Sequence, residues 1–303
     1  MSAERRPLDG GAAALMVVLC AIWGLQQVAI KIAAADVSPV MQGGIRSIVA
    51  TVLLLAWSRT RGHALFRRDG TGPAGLAAGA LFAAEFFFIY FGLAHTTASR
   101  MIVFIYLAPC LTALGLALLI PGERLSAIQW AGVLLAFLGV ATAFGEGFAA
   151  ARTSTLLGDA CGVIGAILWA ATTVTIRATR LASAPAAKTL LYQLAVSAVA
   201  LPLASIAMGE PGVMRVSAAA MISLAYQGII VAFASYLAWF WLLTRYLAGR
   251  LSTFSFLTPL FGVAFGVLIL GEPLRPSFAG AAGAVGLGIL LVNTRTRART
   301  ARP

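Results

Sequence analysis

Residues 98–125 read ASRMIVFIYLAPCLTALGLALLIPGERL, and residues 248–274 read AGRLSTFSFLTPLFGVAFGVLILGEPL. Each is an apolar run long enough to cross a bilayer, with a proline near its middle. Proline removes a backbone donor and clashes with the preceding turn, so each helix is expected to kink or break there. The two runs align: Arg100 with Arg250, Pro109 with Pro259 and, after a gap, Gly122-Glu123 with Gly271-Glu272. A Pro-interrupted apolar helix at corresponding places in two halves is the best sequence pointer to a transporter's binding site. Read more plainly, the prolines are two ordinary packing kinks, since proline is common in membrane helices. The recurrence favours the first reading and makes Pro109 and Pro259 candidate hinges.

Working outward, nearly the whole chain is of the same kind. It has 303 residues, of which 60% are hydrophobic and 11% charged, with mean hydropathy +0.93. Membrane spans need about 20 apolar residues, and ten can be drawn: 12–34, 38–57, 73–94, 99–120, 126–146, 156–177, 187–207, 219–242, 250–270 and 276–293. The longest connection, 58–72, is a basic turn region with no room for a soluble domain. The run after Arg5-Arg6 resembles a secretory signal. It carries Trp23, Gln26, Gln27 and Lys31, and its pattern recurs mid-chain, so it is read as the first span.

The second half repeats the first. Trp23, Lys31 and Pro39 match Trp169, Arg177 and Pro185. Five spans per repeat is an odd number, so the second repeat enters the membrane in the opposite sense. The expected fold is all-α and integral to the membrane, with ten transmembrane helices in two inverted five-helix repeats, residues 1–147 and 148–303.

Orientation follows from Lys and Arg, which mark cytoplasmic loops. One side carries Arg5, Arg6, Arg59, Arg61, Arg67, Arg68, Arg124, Arg177, Arg180, Lys188, Arg245, Arg250 and the tail TRTRARTARP. The other carries Arg100, Arg152, Arg215 and Arg275, with Lys31 and Arg46 near it. Both termini are therefore expected in the cytoplasm. The net charge of +12 is a topology signal and does not call for nucleic acid. Cys20, Cys110 and Cys161 all fall within spans and read as small buried hydrophobes, without disulfide or metal-ligand spacing.

Charged side chains at membrane depth usually face the bundle interior. Arg46 and Glu85 lie ~12 Å and ~14 Å from the outer edge at 1.5 Å per residue, so they can pair if their helices are neighbours. Glu85 is then either a structural partner of Arg46 or a group that binds a proton, a cation or a substrate amine. Gln26-Gln27 and Thr172-Thr173 occupy equivalent turns of the first and sixth spans, and one member of each pair should face inward. Asp159 and Glu123 lie near helix ends and read as caps. Aromatics cluster in spans 3, 4, 6 and 8. Tyr90, Tyr106, Trp169, Tyr236 and Trp239 either line an apolar cavity able to hold a cation or simply pack. Each proline frees a carbonyl one turn earlier, near Ile105 and Ser255, so Tyr106 and Phe256 are expected to bound the cavity. Glycines of the fifth and tenth spans read as close-packing positions. There is no G-x-x-x-x-G-K-[ST], H-E-x-x-H or G-x-S-x-G, so no ATPase, metalloprotease or hydrolase constellation.

Trp23-Gly24, Lys31, Pro39, Arg46, Pro109 and Gly122-Glu123-Arg124-Leu125 resemble the EamA repeat of the drug/metabolite transporter superfamily. Gly158-Asp159 and Gly271-Glu272 resemble its second copy. The resemblance covers almost the whole chain and implies an inner-membrane exporter of small metabolites that is neither an enzyme nor cofactor-dependent. It implies a central cavity lined by helices 3, 4, 8 and 9, with helices 5 and 10 outside. Within the family the chain is similar to the YddG-type amino-acid exporters. Two departures stand out: Ala170 replaces the glycine matching Gly24, and Tyr192 lies opposite Arg46. The expected partners are the lipid bilayer and a small-molecule substrate, namely an amino acid or related metabolite, with no nucleic acid or ATPase. A multidrug exporter of lipophilic cations is the alternative, and a channel or membrane enzyme the reading from another class. Trp23, Gln26, Gln27, Arg46, Glu85, Tyr90, Tyr106, Trp169, Thr173, Tyr236, Trp239 and Phe256 are the candidate substrate-binding residues.

Overall fold

A computed structural model describes residues 9–62, 65–67, 69–119, 125–149, 153–246, 251 and 253–293. Gly122-Glu123-Arg124, Arg250, Arg5-Arg6 and the Arg-rich tail lie outside them. The described chain is helical, with an isolated bridge between Val37 and Val213. Seven helices among the described residues are long and apolar enough to cross a membrane. They cover Gly10–Ala33, Pro39–Thr60, Gly72–Leu93, Ala98–Leu119, Ser154–Ala178, Ala186–Ala207 and Ala218–Trp239. Three shorter apolar helices cover Ala127–Ala143, Phe254–Leu270 and Pro276–Val292.

The elements are α1 (Gly10–Ala33), α2 (Pro39–Thr60), α3 (Gly72–Leu93), α4 (Ala98–Ile105), α5 (Ala108–Leu119), α6 (Ala127–Ala149), α7 (Thr153–Ala178) and α8 (Ala186–Ala207). They are followed by α9 (Ala218–Ala225), α10 (Tyr236–Arg245), α11 (Leu257–Leu270) and α12 (Pro276–Val292). Starts carry familiar chemistry. Asp9 caps α1 by accepting from the Ala12 N–H at 2.8 Å, and Thr97 and Ser217 cap α4 and α9 in the same way. Prolines open α2, α3 and α12, where a missing N–H costs nothing. Gly271 ends α11 in the left-handed region, φ 65°, its N–H bonding Val267 O.

The fourth span is broken where Pro109 requires. α4 stops at Ile105, two turn residues follow, and Pro109 sits in the first turn of α5. Pro109 has no N–H for the Ile105 carbonyl, so the α-helical bond closing that turn does not exist. The stretch that holds Pro259 changes character at the matching place. Thr253–Phe256 is a 3₁₀ turn, and α11 begins two residues before Pro259. Between α9 and α10 the chain winds more loosely, with i→i+5 bonding over Tyr226–Ser235.

Packing is close where glycine allows it. α6 and α12 lie against each other through Gly132 and Gly288, where an added Cβ would meet the partner backbone at 2.7 and 2.6 Å. Gly280 and Gly283, also expected to pack, face open space. α2 crosses α8 at Gly44, whose Cβ would come within 2.5 Å of the Pro202 ring. The outer surface is apolar, with Val52, Leu76, Leu118, Ile206 and Leu268 exposed. That is unfavourable against water and normal against lipid. All three cysteines are free and buried.

Candidate functional site

Among the described residues Arg46 is the largest fully buried side chain, at 0% exposure on α2. Its guanidinium stacks on the Phe86 ring, 4.0 Å from the centroid, and its Nη2 donates to Tyr236 Oη at 3.4 Å. Nε and Nη1 have no partner. Glu85, 4% exposed on the neighbouring α3, lies within coulombic range of Arg46. Among the described residues no ion pair joins the two, and Glu85 Oε2 is also unpartnered. The pairing expected from their similar depth is therefore not made. Depth fixes height along a helix but not rotation about it, and Phe86 takes the face of the guanidinium instead.

A relay of amides borders this centre. Tyr90 donates to Gln227 Oε1 at 2.6 Å, and Gln227 Nε2 donates to Gln42 Oε1 at 3.1 Å. Gln42 Nε2 in turn donates to the carbonyls of Val37 and Ile30. Every link is buried, so the relay ties α1, α2, α3 and the loosely wound segment into one polar seam. Nearby, Trp23 Nε1 donates to Ser235 Oγ at 2.9 Å, and its ring meets Trp239 edge-on at 5.9 Å. Tyr106 meets Trp169 edge-on at 5.4 Å beside the α4–α5 break. Gln27 Oε1 and Thr258 Oγ1 are further buried atoms without partners.

The structure thus gathers Arg46, Glu85, Tyr90 and Tyr236, with Trp23 and Trp239 adjoining. Gln26 is buried on α1, and Phe256 is half-buried before α11. Thr173 bonds the Trp169 carbonyl of its own helix, so its hydroxyl is already committed, as is that of Thr172 to Leu168 O. Gln42, Gln227 and Thr258 belong to the site and were missed. Amide and hydroxyl groups deep in apolar spans were the available signal.

The expected outer side is held separately. Asp159, read from sequence as a cap, is instead wholly buried seven residues into α7. It accepts from Arg100 Nε at 3.0 and 3.1 Å and from Thr96 Oγ1 at 2.7 Å. Glu272 accepts from the N–H groups of Ala98 and Ser99, filling the N-terminus of α4. Between α1 and α2, Asp36 accepts from Ser217 Oγ and, at 2.6 Å, from Arg215 Nε. These two partners hold its carboxyl below the usual range. On the opposite side, Asp69 is held well below that range by the Lys188 ammonium, 2.8 Å away, and by the Thr71 hydroxyl.

The model of the EamA-like transporter family matches twice, over residues 11–145 and 156–294, and the chain belongs to that family. It is 26% identical over 290 residues to an uncharacterized transporter, YvbV, of Bacillus subtilis (strain 168), covering 95% of this chain and 93% of that one. It is also 26% identical over 275 residues to an uncharacterized transporter of Archaeoglobus fulgidus, covering 89% and 92%. A solved crystal structure superposes with TM-score 0.67 at 20% identity, over 92% of this chain and 97% of that one, a likeness of fold. The chain is a multi-pass membrane transporter.

Proposed function

We propose that this EamA-family membrane transporter is a secondary carrier exporting amino acids or related small metabolites across a bacterial-type inner membrane by alternating access. The observation that carries the substrate class is the set of unmet hydrogen-bonding atoms on Arg46 and Glu85. Arg46 keeps two donor nitrogens unpartnered, and Glu85 keeps one carboxyl oxygen unpartnered, in the same buried region. Buried hydrogen-bonding atoms without partners are costly, so such a site favours a ligand that supplies both an acceptor and a donor. A zwitterion does so, with its carboxylate toward Arg46 and its ammonium toward Glu85. Tyr106 and Tyr236 lie within coulombic range of Glu85, and aromatic faces beside a carboxylate also suit lipophilic cations. The Arg46 charge on the Phe86 ring weighs against them.

The architecture belonging to this reading is ten spanning helices in two inverted repeats, residues 1–147 and 148–303, with both termini cytoplasmic. The double match of the family model supports it. So does the packing. Exchange α1 with α7, α2 with α8, α3 with α9–α10, α4–α5 with α11, and α6 with α12. Then α3 on α7 becomes α9 on α1, α3 on α8 becomes the loose segment on α2, and α1 on α11 becomes α7 on α4. The shorter Phe254–Leu270 helix extends roughly 25 Å, close to the ~30 Å hydrocarbon core. Pro109 and Pro259 are the hinges, bending equivalent halves at equivalent places.

Two experiments test this. A reporter fused after Pro303 should read as cytoplasmic, and one inserted near Arg152 as periplasmic; tails on opposite faces would end the inverted-repeat reading. Purified protein in proteoliposomes, given a panel of amino acids with and without a proton gradient, should move zwitterions saturably. Movement of lipophilic cations alone would select the multidrug alternative.

A further inference from the structure

Away from the centre, a cavity of about 970 Å³ opens between the α2–α3 connection, the start of α3 and α8. Its floor is one stripe of α8, including Leu191, Ala195, Val199 and Leu203, each one turn beyond the last. From Lys188 to Leu203 the stripe runs ~22 Å at 1.5 Å per residue, most of the way across a bilayer. Leu76 forms the opposite wall, and Gly75 and Gly79 let α3 approach to within van der Waals contact of Tyr192 and Val196.

The two ends of the cavity differ in chemistry. The deep end is wholly apolar. The other end holds Arg67 and Lys188, with exposed Arg180 lying over Gly70 at its mouth. Lys188 is already engaged, donating to Arg67 O at 2.6 Å and to Asp69. It pins the loop into shape and leaves the guanidinium groups of Arg67 and Arg180 exposed. Among the described residues, three cations against one carboxylate give this end a positive balance. Phe66, 81% exposed, projects beside it as an aromatic anchor at headgroup level.

We infer that this cavity binds a phospholipid with an anionic headgroup, its phosphate between Arg67 and Arg180 and one acyl chain along the α8 stripe. Basic pockets between membrane helices on the cytoplasmic side suit anionic headgroups, and guanidinium matches phosphate through paired donors. The placement in the inner leaflet rests on the orientation proposed above; lipid binding does not. The site is separate from Arg46 and Glu85, so a bound lipid acts by bracing α3 against α8 and is not cargo.

The test uses the full chain, reconstituted in vesicles of equal parts phosphatidylcholine and phosphatidylglycerol, extracted in mild detergent and weighed intact by native mass spectrometry. Phosphatidylglycerol should be retained in preference to phosphatidylcholine. R67Q/R180Q should weaken that retention roughly fivefold per guanidinium, or ~25-fold together. V199W, which fills the groove, should reduce retention of both lipids. Should the variants not fold, a photoactivatable phosphatidylglycerol on wild-type protein should mark the segments holding Phe66 and Leu203. Equal retention of the two lipids, retention unchanged in R67Q/R180Q, or cross-links confined to other helices would overturn the assignment. Neither readout depends on transport, so the carrier reading stands or falls on its own data.

Discussion

Substituting Asp159 should be among the most destabilising single changes in the chain. Its carboxylate is fully buried and accepts from both Nε and Nη2 of Arg100 and from Thr96, while the same Nη2 also reaches Ala143 O at 2.6 Å. The pair therefore joins α4, α6 and α7 at one point. Removing one partner of a buried pair strands the other charge, at a typical cost of ~3–5 kcal/mol. Asp159→Leu should fall in that range. Replacing both partners, R100M/D159L, removes the stranded charge and should come within ~1 kcal/mol of wild type or exceed it. The coupling between the sites is then a few kcal/mol, far above the scatter of independent sites. Equilibrium unfolding in bicelles by steric trapping measures all four proteins. A cost below ~1 kcal/mol for Asp159→Leu, the scale of an ordinary substitution, would refute the reasoning. So would single effects that simply add.

Three further outcomes follow from the geometry. Glu85→Gln should abolish any proton dependence of transport, and Arg46→Gln with Glu85→Gln should show non-additive effects on transport; simple addition would make the two independent despite their shared region. Pro109→Ala and Pro259→Ala should leave folded proteins whose cysteine accessibility shifts in opposite directions, as the proposed inversion of the two halves requires; unchanged labelling and transport would leave the prolines as packing kinks. Asp36 and Asp69 are held below the ordinary carboxylate value in the folded state. Their contribution is present above the unfolded value, ~3.9, and is lost as pH falls through the depressed folded values. The wild-type unfolding midpoint should therefore drop more steeply below about pH 5 than that of D36N/D69N, and parallel curves would contradict this.

Much of the fold was legible because the deciding signals are local. Apolar length placed the helices, and a missing donor at Pro109 placed the break at Ile105. The rest depends on rotation and distant contact. Arg46 and Glu85 share a depth, yet Phe86, one residue beyond Glu85, occupies the guanidinium face. Asp159 looked like a cap because it lies near a helix start, and only the approach of Arg100 from 59 residues away makes it an ion-pair partner. The loose winding over Tyr226–Ser235, which carries Gln227 and Ser235 to their partners, has no proline or charge to announce it. Gln42 and Gln227 could have been found, since an amide deep in an apolar span needs a partner.

The central claim is that a zwitterion is carried, one site facing each side in turn. Counterflow in proteoliposomes tests it most directly. Vesicles are loaded with an unlabelled amino acid, diluted into trace labelled amino acid, and sampled over time. A carrier returns its site loaded, so label should accumulate transiently above equilibrium, and Arg46→Gln should abolish the overshoot. Label that only equilibrates, without overshoot and at a rate indifferent to the internal amino acid, would contradict the account and point to a channel.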